Sequence, residues 1–223
     1  MASSVEVVPL ALGYVTPRRG PFAGKRASIH AFLIRHPEGP FLVDTGVGSG
    51  HDGIDTLYEQ GLVPLKDALA ANGCAPSDIA AVINTHLHFD HCGQNRLFAG
   101  VPIYVQAAEY EAAAAHAYTV PEWFQFARAE YKQLTGEADI APGISVLPTP
   151  GHTPGHQSVL VETEGGLAAI AGHAAYTAAE YAGDEPAPGG DWDDAAYARS
   201  LKVLRGLDPQ RVYFSHDAVV WER

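Results

Sequence analysis

Seven residues of metal-ligating type fall in groups along this sequence. His86, His88, Asp90 and His91 lie within six positions, in Thr85-His86-Leu87-His88-Phe89-Asp90-His91. His152 sits in Pro150-Gly151-His152-Thr153-Pro154-Gly155-His156, His173 follows an apolar run ending at Ala171, and His216 follows Val212 to Ser215. Neutral imidazole and carboxylate are the ordinary ligands of zinc and similar divalent ions, at about 2.0–2.2 Å. A lone histidine in a turn is usually just hydrated, but four ligand-type residues in six positions at a strand exit rarely arise from packing. The first cluster therefore reads as metal binding, while for His152 and His216 spacing alone leaves ligation and hydration equally open. His30, His36, His51 and His116 lack this setting and read as ordinary histidines. His156 reads as a hydrogen-bonding partner. Cys92 reads as a buried thiol, since adjacent residues on an extended turn point apart.

These groups need elements to bring them together. Residues 5–12, 28–34, 41–43, 79–84, 103–106, 144–147, 157–162, 167–171 and 212–215 read as strands, from their β-branched and apolar runs and the turn residues between them. Helices are expected over residues 64–71, from about 107 to 118, from 121 to 134, and from about 193 to 204 with Asp191 or Asp193 as cap. Each metal-type group then stands just beyond a strand. Residues 29–46 and 157–173 repeat one order, strand, Glu-Gly turn, strand, polar turn, which suggests two sheets packed together with helices outside.

Composition narrows the class. The chain has 223 residues, 47% hydrophobic and 18% charged, which suits one folded domain over residues 1–223. Lys plus Arg is 14 against 26 Asp plus Glu, and the absence of a basic run argues against a nucleic-acid partner. No apolar stretch approaches the ~18–20 residues of a membrane span, and Met1-Ala2-Ser3-Ser4 lacks the layout of a signal peptide, so no membrane is expected. The two cysteines, Cys74 and Cys92, form no disulfide framework, which makes the cytoplasm the expected compartment.

The sequence resembles the metallo-β-lactamase superfamily, and within it the N-acyl-homoserine lactonases. The likeness runs from about Ser28 to His216. It rests on Leu42-Val43-Asp44-Thr45-Gly46, the His-x-His-x-Asp-His segment, Gln106 with Glu109-Tyr110-Glu111, Pro150 to Gln157, Gly172-His173-Ala174-Ala175-Tyr176-Thr177, and Ser215-His216-Asp217. It implies an αββα sandwich, two mixed β-sheets packed face to face with helices outside, with a metal site at one sheet edge. His86, His88 and His152 would hold one ion; Asp90, His91 and His216 would hold a second. Zinc is the expected cofactor, as one or two divalent ions, with iron, cobalt or manganese as alternatives. Asp44 would orient ligand imidazoles. The resemblance also leaves a homodimer open.

His173 departs from that pattern, which implies a bridging carboxylate at its position. Carboxylate offers two oxygens and a charge; neutral imidazole offers one lone pair and none. The exchange is expected to weaken the second metal, change metal preference or leave one ion, with His173 either a terminal ligand or turned away. The implied reaction is lactone opening by metal-bound hydroxide, with Tyr176 donating to the oxyanion and Asp90 returning a proton to the leaving alkoxide. A lactone or other ester is therefore the expected partner. A glyoxalase II-like thioesterase, or a binding protein that has lost hydrolysis through His173, stay open as alternatives. Residues 14–27 form either a hydrated loop or a cover over the substrate. Tyr110, Tyr118, Trp123, Phe124, Phe126 and Tyr131 either line an acyl pocket or pack in the core.

Overall fold

The computed structural model describes residues 5–20, 22–116, 118–186 and 192–223. Residues 1–4 and the expected cap Asp191 lie outside the described residues. The first mixed sheet is built from β1 (Glu6–Pro17), β2 (Ala27–Arg35), β3 (Phe41–Val43), β4 (Tyr58–Leu62), β5 (Ala81–Ile83), β6 (Pro102–Gln106) and β7 (Glu130–Leu134). Its order is β4-β1-β2-β3-β5-β6-β7. The second contains β8 (Ala138–Ala141), β9 (Ile144–Pro148), β10 (Gln157–Thr163), β11 (Gly166–Ile170), β12 (Arg211–Tyr213) and β13 (Trp221–Glu222), in the order β13-β12-β11-β10-β9-β8.

Strand periodicity explains the layering. Successive side chains point to opposite faces, so a strand covered on both sides reads as a continuous apolar run. In β2, Phe32 and Ile34 point inward and meet Val159 and Val161 of β10 and Ile170 of β11. Ile29, Ala31 and Leu33 point the other way, into a cluster with Leu65 and Leu69 of the helix Leu65–Ala71. On the far side, Ala169 and Val212 pack beneath Leu201 and Leu204 of the helix Asp194–Gly206. Asp193 caps that helix by accepting from the Ala196 N–H, as expected. The result is helix, sheet, sheet, helix.

The repeated order in the sequence corresponds to real hairpins, β2–β3 and β10–β11, each followed by a parallel neighbour, β5 and β12 respectively. Parallel pairing puts the ends of β3 and β5 on one edge, which brings Asp44 beside Thr85 and His86. It does the same for β11 and β12, whose exits carry His173 and His216.

Three expectations need correction. The helix expected over residues 121–134 is only Pro121–Phe124, and Glu130–Leu134 is a strand parallel to β6. Arg128 turns the chain at φ 62°, and β6 offers an unpaired edge whose hydrogen bonds outweigh local helix preference. β1 runs on to Pro17, so the segment from Tyr14 begins as strand and becomes loop only beyond that proline. His30 is a buried β2 residue whose Nδ1 lies 3.3 Å from the Ser215 carbonyl. No described helix is long and apolar enough to cross a membrane.

Candidate metal centre

The strand β5 delivers Thr85 to His88, and the four-residue helix Phe89–Cys92 comes at once, carrying Asp90 and His91. The turn after β3 docks on this helix: the Thr45 N–H donates to the His91 carbonyl at 2.7 Å, and the Gly93 N–H to the Gly46 carbonyl at 2.8 Å. The contact is so close that a Cβ on Gly93 would lie 2.0 Å from the Gly48 nitrogen. Asp44, at φ 59°, accepts from the Thr85 N–H and the Thr85 hydroxyl, both at 2.8 Å, and lies 2.7 Å from His91 Nδ1. His86 Nδ1 lies 3.0 Å from Thr85 Oγ1. These partners place the protons of His86 and His91 on Nδ1 and turn both Nε2 lone pairs inward.

The other groups arrive from the second sheet. The loop after β9 carries His152, whose Nε2 is 2.9 Å from His88 Nδ1, while its Nδ1 is 2.8 Å from the Tyr176 hydroxyl. His216 Nδ1 donates to the Ser28 carbonyl at 2.7 Å, and its Nε2 lies 3.5 Å from Asp90 Oδ2. His173 stands in the middle, its ring centroid 4.8 Å from His86, 4.7 Å from His91, 4.1 Å from His152 and 4.6 Å from His216, and stacked on Tyr176 at 4.5 Å. Its ring is therefore in the cluster, not turned away. His156 is a scaffold residue: Nδ1 lies 3.0 Å from the Thr149 carbonyl and Nε2 accepts from the His173 N–H at 2.8 Å. Gly172, at φ 59°, makes that bond possible, because a Cβ there would lie 2.5 Å from His156 Nε2.

Ligand atoms of His86, His88, His152 and His173 all lie within 4.8 Å of one another, as do those of His91, His173 and His216. Asp90 joins neither set on that measure, but its Oδ2 borders the second, 3.8 Å from His91 Nε2. Buried nitrogens ordinarily have hydrogen-bond partners. Here His86 Nε2, His91 Nε2 and both ring nitrogens of His173 are buried with none. Burial, and then mutual repulsion, hold His86, His88 and His173 well below the ordinary imidazole pKa, so they are neutral lone-pair donors at neutral pH. Burial would also lower His91, but the Asp44 and Asp90 carboxylates outweigh it and its pKa is raised. Inward-facing neutral nitrogens without partners fit a divalent transition metal.

The bracing roles of two carboxylates, Glu109 and Glu180, were not visible in the sequence. Glu109, on the helix Ala107–Ala115, is fully buried and accepts from the Leu87 N–H at 2.8 Å, the Thr153 hydroxyl at 2.6 Å, the Gly155 N–H at 3.2 Å and the Tyr118 hydroxyl at 3.1 Å. It ties the His86–His88 loop to the His152 loop. Glu180, also buried, accepts from the Tyr176 N–H at 2.7 Å and the Tyr197 hydroxyl at 2.5 Å, and so fixes the Tyr176 backbone. A carboxylate in an otherwise ordinary helix gives no periodic signal for such a role.

A cavity of about 800 Å³ opens over the cluster, lined by His88, Asp90, His152, His173, Tyr176 and His216 and walled by Val15, Pro17, Phe22, Ile54, Leu57, Tyr58 and Phe89. Lys25, Arg26 and Ala27 also line it, so described residues of the segment from Tyr14 to Ala27 border the site. Of the six aromatics considered for an acyl pocket, Tyr118 reaches the cavity. Trp123 and Phe124 are core residues, Phe126 packs against the core that holds Trp123, and Tyr110 packs with Phe124 and Tyr131. Cys92 is buried with its thiol donating to the Leu87 carbonyl, and burial pushes its pKa up to about 12. It is not a ligand in this arrangement.

A family model described as the metallo-beta-lactamase superfamily matches residues 24–216. An N-acyl homoserine lactonase from Bacillus sp is 36% identical over 203 residues, covering 85% of this chain and 81% of its own. The N-acyl homoserine lactonase of Bacillus cereus is 35% identical over the same spans. Among solved structures, an N-acyl homoserine lactone hydrolase with the product N-hexanoyl-L-homoserine bound at its catalytic metal centre superposes with a TM-score of 0.82. That likeness is at 28% identity, over 98% of this chain and 95% of the other.

Proposed function

The chain belongs to the metallo-β-lactamase superfamily, and from that membership we propose that it is a metal-dependent hydrolase that opens the ring of N-acyl homoserine lactones. The observation that carries the reading is the set of buried, partnerless imidazole nitrogens of His86, His91 and His173, gathered where His173 borders a cavity with an apolar wall. Zinc suits these donors best, held by His86, His88, His152 and His173 and by Asp90, His91 and His216. Residues 1–223 act as one domain, and two buried free cysteines suit a reducing cytoplasm.

When bound, the ion supplies Lewis-acid polarisation of the lactone carbonyl and hydroxide at neutral pH. The chain's own residues do the rest. The apolar wall from Phe22, Ile54, Leu57 and Phe89 takes the acyl chain and excludes water. The Tyr176 hydroxyl leaves His152 Nδ1 to donate to the carbonyl oxygen as charge develops there. Asp90 Oδ2, at the cavity surface, takes the proton given up by the attacking water and delivers it to the ring oxygen as the ester bond breaks. Asp44, Thr85 and Glu109 keep the donors from reorganising.

Metal-loaded protein assayed in parallel on an acyl-homoserine lactone, a thioester and a β-lactam tests the reading. Ring opening of the lactone is expected to dominate. Faster thioester cleavage would assign a glyoxalase II-like role instead.

A further inference from the structure

His173 belongs to both donor sets, and this shared membership limits what the centre can hold. Both its ring nitrogens are buried without a partner, one set claiming His86, His88 and His152 beside it and the other His91 and His216. A neutral imidazole carries a proton on one nitrogen and a lone pair on the other, so it ligates one ion at a time. Serving two ions would require loss of the second proton to give imidazolate. Nor does neutral imidazole bring charge to offset the repulsion of two dications side by side. Among the described residues, Asp90 is the one carboxylate within ion-pair distance of the inward Nε2 atoms of His91 and His216.

We infer that this centre holds one divalent ion tightly, in the four-imidazole set His86, His88, His152 and His173, and a second only weakly at Asp90, His91 and His216. Four nitrogens complete a protein shell around the first ion, which can still take a fifth ligand as substrate arrives. With His173 committed to that ion, the second set keeps three donors and shares no anion with its neighbour. All-imidazole ligation also sets the metal class: zinc, cobalt, nickel or copper rather than magnesium or calcium, which prefer oxygen.

The inference rests on the metal-dependent reading above, but its test counts ions and does not need turnover. Metal-free protein is loaded with excess zinc, passed through a desalting column and analysed for zinc per chain, with affinities measured against a chromophoric chelator. One retained ion is expected in the unaltered protein. H88A is expected to lose it, whereas H216A keeps it. H173D, which supplies two oxygens and a charge, is expected to retain two, with its fold checked by circular dichroism. Two retained ions in the unaltered protein, whether separate or joined through imidazolate, overturn the inference, as does retention of none. Loss of the ion in H216A but not in H88A overturns the assignment of the set, and a folded H173D holding one ion overturns the role given to His173. A protein with one ion that leaves lactone intact would sink the proposed reaction and leave the ion count standing.

Discussion

Asp44 Oδ2 lies 2.7 Å from His91 Nδ1 and accepts the Thr85 hydroxyl at 2.8 Å, while that hydroxyl lies 3.0 Å from His86 Nδ1. One carboxylate thus fixes the tautomer of two imidazoles that belong to different donor sets. Its left-handed backbone is tolerated by Asn as well as Asp. Asp44→Asn is therefore expected to fold normally yet weaken metal binding roughly 10–100-fold, the usual effect of losing such a partner. Chelator competition reads this directly; unchanged affinity would show that ligand orientation does not depend on Asp44.

The pKa pattern singles out His91 among the clustered imidazoles, since burial lowers even His216 beside it, to about 4. His86, His88 and His173 are held well below the ordinary value by burial, so an ion entering their set displaces no proton from them near pH 7. His91 is raised: burial lowers it, but Asp44 and Asp90 prevail. In the metal-free protein that shift adds stability below the ordinary imidazole pKa of ~6.5, lost as pH rises through the raised value. An ion at His91 must displace this proton, so the weak binding step should strengthen as pH rises and release a proton that His86, His88 and His173 do not contribute to the tight step. Calorimetric titration in two buffers of different ionisation enthalpy measures the protons released. Equal release at both steps would contradict the assignment.

Glu109 is expected to be a brace whose loss is felt by metal and fold together. Glu109→Ala strands buried donors at Leu87, Thr153 and Gly155, an expected cost of about 2–4 kcal/mol in urea unfolding. Ion retention should also fall, because the His88 and His152 loops lose their tie. A stable variant with full metal content would remove Glu109 from the account.

Chain-length preference should follow the cavity wall and not the buried aromatics. Phe22→Ala and Leu57→Ala are expected to shift preference among acyl lactones with little effect on stability, since both side chains are exposed at the cavity. Trp123→Ala should instead cost about 3–5 kcal/mol of stability. If Trp123→Ala alone changed chain-length preference in a folded protein, the acyl group would lie elsewhere.

The legible parts of the sequence were those with dense local chemistry. His-x-His-x-Asp-His at the exit of β5 pointed to a metal site, and the strand runs preceding His152, His173 and His216 placed each of them just beyond a strand. What escaped depended on contacts distant in sequence. Residues 130–134 look helical until β6 offers an edge to pair with. His30 looks like any other histidine until β2 buries it against Ser215. Glu109 looks like a helix-surface acid until the loops at Leu87 and Thr153 close over it. Trp123 and Phe126 sit between metal motifs in sequence, but Trp123 lies in the core with Leu10 and Val47 and Phe126 packs against that core.

The most direct measurement is lactone opening by the metal-loaded chain, monitored as acid release at constant pH with N-hexanoyl-L-homoserine lactone. Ring opening is expected to track the first equivalent of zinc, to vanish on chelation and to return on reloading. A folded chain with its zinc in place that leaves the lactone no more hydrolysed than buffer does would contradict the account.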